Sequence, residues 1–331
     1  MPLSLYPGRL PNQLAYCPPN PPKHPRTCHT TLMTQNKHIE HPEDTILTGD
    51  LTALDWIAAA GTLSVKMDGA PAIVWGRNPA TGNFFVGTKS VFNKIKIKIN
   101  ESHEDIDANH SGNVADILHA CLNWLPNTDG IYQGDFIGFG GSDEYTPNTI
   151  TYKFPEVIDH KIIIAPHTRY EANDDLRDSW AIPLTVNLGS SDFCKFVKPN
   201  ASIAFGMRDF SDLQEVIGFA MQMAQMVTFV DEKKAKEIKQ QLNTCIRENR
   251  PVVNSEFDCD SNLLGLWALV KSIKDDALHL CRNDGPAAYI GHDRIDAEGY
   301  VYSNEIGTMK LVNRKQFSYA NFNNNKFAQT P

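Results

Sequence analysis

A chain of 331 residues, 41% hydrophobic and 21% charged, has the balance of a soluble globular protein and the length to bury one large core or two smaller ones. No apolar run approaches the roughly 18 residues that span a bilayer, and a net charge of −8 excludes a uniformly basic nucleic-acid binder, so any strand contact must come from a local patch. The seven cysteines are odd in number, scattered and without a Cys-x-x-Cys pair, which argues against a zinc knuckle or a secreted disulfide framework and for reduced thiols in a cytoplasmic setting.

The chain opens on a proline-rich stretch, Pro18-Pro19-Asn20-Pro21-Pro22 with Pro25, that precludes regular structure. Residues 1–32 are therefore expected to form a disordered tail, and Met33 opens a segment that reads like an ordinary start. No basic start followed by an apolar core marks a signal peptide. A helix is expected over residues 51–60, started near Asp50. Residues 62–99 read as strands. Leu63-Ser64-Val65 leads into Lys66-Met67-Asp68-Gly69, the run from Pro71 to Gly76 follows, and Phe84-Phe85-Val86-Gly87 returns after a turn. Lys94-Ile95-Lys96-Ile97-Lys98-Ile99 alternates strictly; as a strand it would set lysines on one face and isoleucines on the other, either a solvated face or a stripe that follows a phosphate backbone.

A helix is expected across 113–125, and strands across 130–139, 148–154 and 161–166. From Ser211 the spacing turns helical, with Leu213, Val216, Ile217 and Ala220 on one face; a charged helix over 232–248 and another over 262–282 follow. Residues 298–317 return to strands. The expected class is α+β: antiparallel sheets in 33–205, a helical insertion in 206–285 and closing strands in 286–331, the insertion acting either as scaffold or as a substrate clamp.

Lys66-Met67-Asp68-Gly69 places a lysine between an apolar-leaning strand and a glycine that permits close approach of a phosphate. Asp-Gly is also a plain turn signal, so a surface strand–turn lysine is the competing reading. The order of later segments favours the first: Gly87-Thr88-Lys89-Ser90, Gly134-Asp135-Phe136-Ile137-Gly138, Glu298-Gly299-Tyr300-Val301 and Met309-Lys310-Leu311-Val312. Together these resemble the motif series of the covalent nucleotidyltransferases, the superfamily of ATP-dependent DNA and RNA ligases and mRNA-capping enzymes, and most closely its RNA-ligase branch. The run Lys66 to Ala72 also resembles a Lys-x-Asp-Gly-x-Pro-Ala segment of an uncharacterised family of tailed-phage proteins.

The resemblance implies an ATP-grasp-like nucleotidyltransferase core and an ATP-dependent polynucleotide ligase, with RNA favoured, of the kind used in nucleic acid repair. Lys66 would be the nucleophile that forms a lysyl-AMP, and Lys310 would neutralise the α-phosphate. Asp68, Gly69, Lys89, Asp135 and Tyr152 would bind the nucleotide, Tyr152 or its neighbour Phe154 by stacking on the base. Glu298 would help hold Mg²⁺ or Mn²⁺. The acceptor would be a 5′-phosphate end attacked by a 3′-hydroxyl, in the cytoplasm, or the host cytoplasm if phage-encoded, with no membrane partner.

Three departures stand out. Lys89 replaces a frequent arginine, which substitutes a point charge for a planar fork. Asp135 replaces a usual glutamate and shortens the arm by one methylene. Val312 stands where a second lysine is usual, so Arg314 or Lys315 would have to supply that charge. About fourteen residues follow Phe317, too few for the C-terminal OB domain of DNA ligases and capping enzymes. A nucleotidyltransferase with a protein or RNA-cap acceptor, and a non-catalytic nucleotide- or nucleic-acid-binding phage protein, remain alternatives.

Overall fold

Residues 71–76 form an uninterrupted apolar run, the signature of a strand covered on both faces. In the computed structural model, which describes residues 39–184, 186–203 and 207–315, that strand is an inner strand of the largest sheet. The chain divides into 1–34 and 35–331, and everything described belongs to the second unit. The proline-rich tail lies outside the described residues.

The strands in chain order are β1 (Thr62–Lys66), β2 (Ala72–Arg77), β3 (Phe84–Gly87), β4 (Ile131–Phe139), β5 (Ser142–Tyr145), β6 (Thr151–Ile158), β7 (Ile162–Glu171), β8 (Trp180–Ile182), β9 (Cys194–Phe196), β10 (Ala201–Ile203), β11 (Cys281–Asn283), β12 (Ala287–Ile290), β13 (Asp293–Ile295), β14 (Gly299–Ser303) and β15 (Thr308–Val312). The helices are α1 (Pro42–Thr45), α2 (Thr52–Ala58), α3 (His103–Asn109), α4 (Gly112–Trp124), α5 (Met207–Ala224), α6 (Glu232–Arg247) and α7 (Ser261–Leu280). The class is α+β, and the sheets are antiparallel apart from the β7–β9 pair.

The largest sheet runs β3-β2-β4-β7-β8, with β9 pairing β7. A second sheet, β1-β14-β15, carries the lysine strand, and a third runs β13-β12-β6-β5. Two splices hold the lysine turn to the large sheet: Ala70 N donates to Phe136 O at 3.1 Å and Phe136 N donates to Pro71 O at 3.0 Å.

The three expected helices of the insertion form, with bounds within a few residues of the periodic pattern. Helix α6 begins where the Asp231 side chain accepts from Lys234 N at 2.8 Å, and its buried stripe is Ala235, Ile238, Leu242 and Cys245. The insertion is closed at its base by the short β10–β11 ladder. Its helices share one hydrophobic cluster with the lysine sheet: Leu266, Trp267 and Val270 pack in the same core as Val65, Tyr300 and Leu311.

The alternating run 94–99 is not a strand. The free edge of β3 is taken instead by Asn100, whose backbone exchanges hydrogen bonds with Val86 at 2.9 and 3.2 Å and whose side chain donates again to Val86 O at 2.8 Å. The preceding residues loop outward, leaving Ile95 94% exposed, and Lys98 Nζ is tied to Asn109 O at 2.5 Å. Lys94, Lys96 and Lys98 therefore share no strand face, and the phosphate-tracking stripe is withdrawn. Among the described residues no helix is long and apolar enough to cross a membrane.

Candidate functional site

Register brings the distant motifs together. In the β1–β14 ladder Lys66 lies opposite Gly299, so the preceding Glu298 meets the lysine, and Glu298 Oε2 accepts a hydrogen bond from Lys66 Nζ. The two side chains are only 17% and 11% exposed. β14 in turn pairs with β15, with Val301 opposite Lys310. On the other side, β2 sets Ala72 against Asp135 of β4. A cavity of about 430 Å³ opens between them, lined by Lys66, Asp68, Gly69, Lys89, Asp135, Glu298 and Lys310.

The turn after Lys66 is fixed atom by atom. Asp68 N donates to Tyr152 Oη at 2.5 Å, and Asp68 Oδ2 accepts from Asn148 Nδ2 at 2.8 Å. Tyr152 is 1% exposed, within the core and outside the cavity lining. It presents no open face for a base, so its placement is that of a post under the lysine turn. Phe154 packs edge-on against Tyr145 with centroids 5.9 Å apart and is likewise absent from the lining.

Gly69 is required by close approach. A Cβ there would lie 2.5 Å from Phe136 O and 2.9 Å from Asp135 Cβ, and the first of these is backbone that cannot swing aside. Gly69→Ala is expected to push the lysine turn off β4 and lower the thermal midpoint by several degrees, an overpacking penalty of about 1–3 kcal/mol. A midpoint equal to the parent's would show that the turn is not clamped in this way.

Charge in the cavity is mixed. Burial alone would lower the Lys66 pKa, but Glu298 first, then Asp135 and Asp68, outweigh it and hold the ammonium above the ordinary lysine range. For Glu298 burial dominates, and the carboxyl is raised to about 7 despite its contact with Lys66. Asp135 is the opposite case. Burial would raise it, yet His167, whose Nε2 is 3.8 Å away, and the charges of Lys66 and Lys89 bring it below the usual carboxylate range. Lys310 is lowered by burial and by repulsion from Lys66.

Arg314 lines the same cavity, but its charge is already answered. Its Nη1 donates to Glu43 Oε1 at 3.0 Å and Asp44 Oδ1 at 2.8 Å, and its Nη2 to Asn243 Oδ1 at 2.5 Å. Lys315 is exposed, outside the lining. Of the two residues expected to replace the charge missing at Val312, Arg314 lines the cavity but is engaged by Glu43 and Asp44, and Lys315 lies outside it. His41, Gln133, His167, Tyr170 and Asn243 also line the wall, without having been singled out in the sequence as site residues. His167 and Tyr170 come from β7, and Tyr170 Oη donates to Gln133 Oε1 at 2.7 Å.

Among the described residues no group of three or more His, Cys, Asp or Glu is placed to hold a metal ion. The donors at hand, Asp68, Asp135 and Glu298, are carboxylates, which suit Mg²⁺, an ion that usually takes one or two protein carboxylates and completes its shell with phosphate oxygens and water. The donor set fits such an ion bound together with a phosphate.

No curated protein and no solved structure matches the chain. Residues 36–262 and 253–326 match the family of unknown function DUF6267, and with that much of its length covered the chain belongs to that family.

Proposed function

We propose that the protein is an ATP-dependent nucleotidyltransferase that forms a lysyl-AMP at Lys66 and passes the adenylate to a 5′-phosphate end of a polynucleotide, RNA favoured. The observation that carries this reading is convergence: Lys66, Asp68, Gly69, Lys89, Asp135, Glu298 and Lys310, separated by up to hundreds of positions in the chain, line one small cavity. A set of unrelated surface residues would have no reason to meet there. The finer description of the core as ATP-grasp-like belongs to the same proposal.

Lys66 can attack only as a free amine. Glu298 is its contact partner, so Glu298 Oε2 is the acceptor placed to take the proton from Lys66 Nζ when the nucleotide is bound. The amine then forms a bond to the α-phosphorus as the bond to the β-phosphate oxygen breaks, and pyrophosphate leaves with the bonding pair. Lys310 and Lys89 balance charge on the transferring group. Mg²⁺, held by the carboxylates of Asp68, Asp135 or Glu298, would supply further neutralisation of the phosphates when bound. In the second half, an oxygen of the 5′-phosphate displaces Lys66 from the adenylate; a 3′-hydroxyl then attacks the activated end and AMP departs.

A second reading rests on a specific observation. The carboxylates around Lys66 favour its ammonium form, which suits a protein that binds nucleotide or strand without reacting. Incubation with ATP labelled at the α-phosphate and Mg²⁺, followed by denaturing electrophoresis, separates the two: a covalent label marks the enzyme. Parallel labelled GTP distinguishes ligase-like from capping-like chemistry, and label transfer to RNA, DNA or a protein identifies the acceptor.

Lys310→Ala and Glu298→Ala are each expected to slow adduct formation at least tenfold, about 1.4 kcal/mol of barrier. Rates near the parent's for both variants would favour the binding-only reading.

A further inference from the structure

One corner of the cavity is left electrostatically and sterically open. His41, the residue before α1, lines it beside Lys310 and Arg314. Neither ring nitrogen of His41 has a hydrogen-bond partner among the described residues, and Nδ1 is fully enclosed. The corner is also rigid. Lys310 N donates to Glu40 O at 3.1 Å, which pins β15 to the segment that carries His41.

The cations around it are not equally answered. Lys66 is paired with Glu298, Lys274 with Glu43, and Arg314 with Glu43 and Asp44. Lys310 has no acid within ion-pair distance among the described residues. A half-buried lysine without a counter-ion, beside an imidazole without a partner, favours an anion.

We propose that the His41–Lys310–Arg314 corner is a phosphate-oxyanion subsite that takes the polyphosphate tail of the nucleotide, the part that departs as pyrophosphate. The proposal rests on the nucleotidyl-transfer reading of Lys66. The phosphate end of a strand has the same chemistry, but the corner lies in the same cavity of about 430 Å³ as Lys66, a volume that suits a small ligand.

The corner carries its own proton signature. Burial first, then Lys310 from β15, Arg314 beyond it, Lys274 from α7 and Lys66 from β1 hold the His41 imidazole neutral, well below its ordinary range. The carboxylates of Glu43 and Asp44 on α1 are already engaged, and Asn243 of α6 is uncharged. An arriving polyanion offsets the cations, raises the imidazole pKa and favours its protonated form. Binding at neutral pH therefore takes up a proton, and affinity falls as pH rises.

The test is calorimetric titration of the full chain with inorganic tripolyphosphate at pH 7, in two buffers of different ionisation enthalpy and without nucleotide. Saturable binding with proton uptake is expected. His41→Gln should weaken it at least fivefold and abolish the uptake, and Lys310→Met should weaken it at least tenfold. No saturable binding by the parent, or unchanged affinity in both variants, would overturn the subsite. Displacement by an oligonucleotide with a 5′-phosphate, but not by one with a 5′-hydroxyl, would reassign the corner to the strand end and overturn the polyphosphate assignment. Tripolyphosphate binding as expected, with no covalent label from ATP, would leave the subsite standing and remove the nucleotidyl-transfer reading. A lysyl adduct forming in His41→Gln with the parent's ATP dependence would remove the subsite alone.

Discussion

Lys66→Arg is expected to take no label from ATP, where the parent acquires an acid-labile, alkali-stable adduct. The substitution isolates nucleophilicity from charge. An arginine keeps a cation beside Glu298, Asp135 and Asp68, the carboxylates that already favour the charged form of Lys66, so the neighbouring charges remain balanced. What is lost is the neutral amine, because a guanidinium stays protonated at any pH the protein survives. The loss should be complete within detection, the largest effect any single change in the cavity should have. Thermal unfolding of the variant checks that the fold is intact. Labelling of Lys66→Arg at the parent's rate would show that Lys66 is not the nucleophile.

The contrast between Lys66 and Lys310 sharpens that expectation. Both line the cavity, but Glu298 engages Lys66, whereas Lys310 has no ion-pair partner among the described residues and its pKa is lowered. If low basicity alone chose the nucleophile, Lys310 would be the better one. The reading offered for Lys66 depends instead on a proton acceptor in contact with it, so peptide mapping of the adduct should place the label in the segment containing the Lys66 turn.

Local pattern carried much of this site and register carried the rest. Lys66, Lys89, Asp135, Glu298 and Lys310 each lie in or beside a strand whose residues read as one, so a contiguous motif marked each of them. His167 had no such mark. It reaches Asp135 because β4 and β7 are neighbours with irregular register near Gln133 and Gly134, and that pairing has no trace in the run of residues around His167. His41 and Asn243 are likewise isolated polar residues whose place depends on how α1 and α6 pack. The alternating run 94–99 erred the other way. Alternation describes a face, but a strand also needs a neighbour, and Asn100 had taken the edge of β3. Strands β8 to β11, each of three residues, are too short to display a period of two.

The buried ion network behind the cavity gives the largest expected effect on stability. Lys274 sits in the buried stripe of α7 and is 0% exposed, and its Nζ donates to Glu43 Oε1 at 2.7 Å. Glu43, equally buried, also receives Arg314, while Asp44 receives Arg314 and, at 3.1 Å, Trp267 Nε1. One network thus ties α1, α7 and the residue beyond β15 together. Lys274→Met fills the same space but leaves Glu43 short of a cation, and removing one partner of a buried pair typically costs about 3–5 kcal/mol. Replacing both, Lys274→Met with Glu43→Met, should recover at least half of that loss, since Arg314 keeps Asp44 and Asn243. The pH dependence has a definite sign. Burial would raise the Glu43 carboxyl, but Lys274 and Arg314 bring it below its ordinary value, so the unfolded chain binds the proton more readily. Its contribution is full above the unfolded carboxyl pKa and is lost as pH falls through the lower, folded one. In Lys274→Met the folded pKa rises toward the unfolded one, so the variant loses less stability on acidification than the parent and the two curves converge as pH falls. Denaturant midpoints across pH 3 to pH 7 measure both effects; a Lys274→Met variant within about 1 kcal/mol of the parent throughout, an ordinary surface-substitution effect, would show that the network does not hold these elements together.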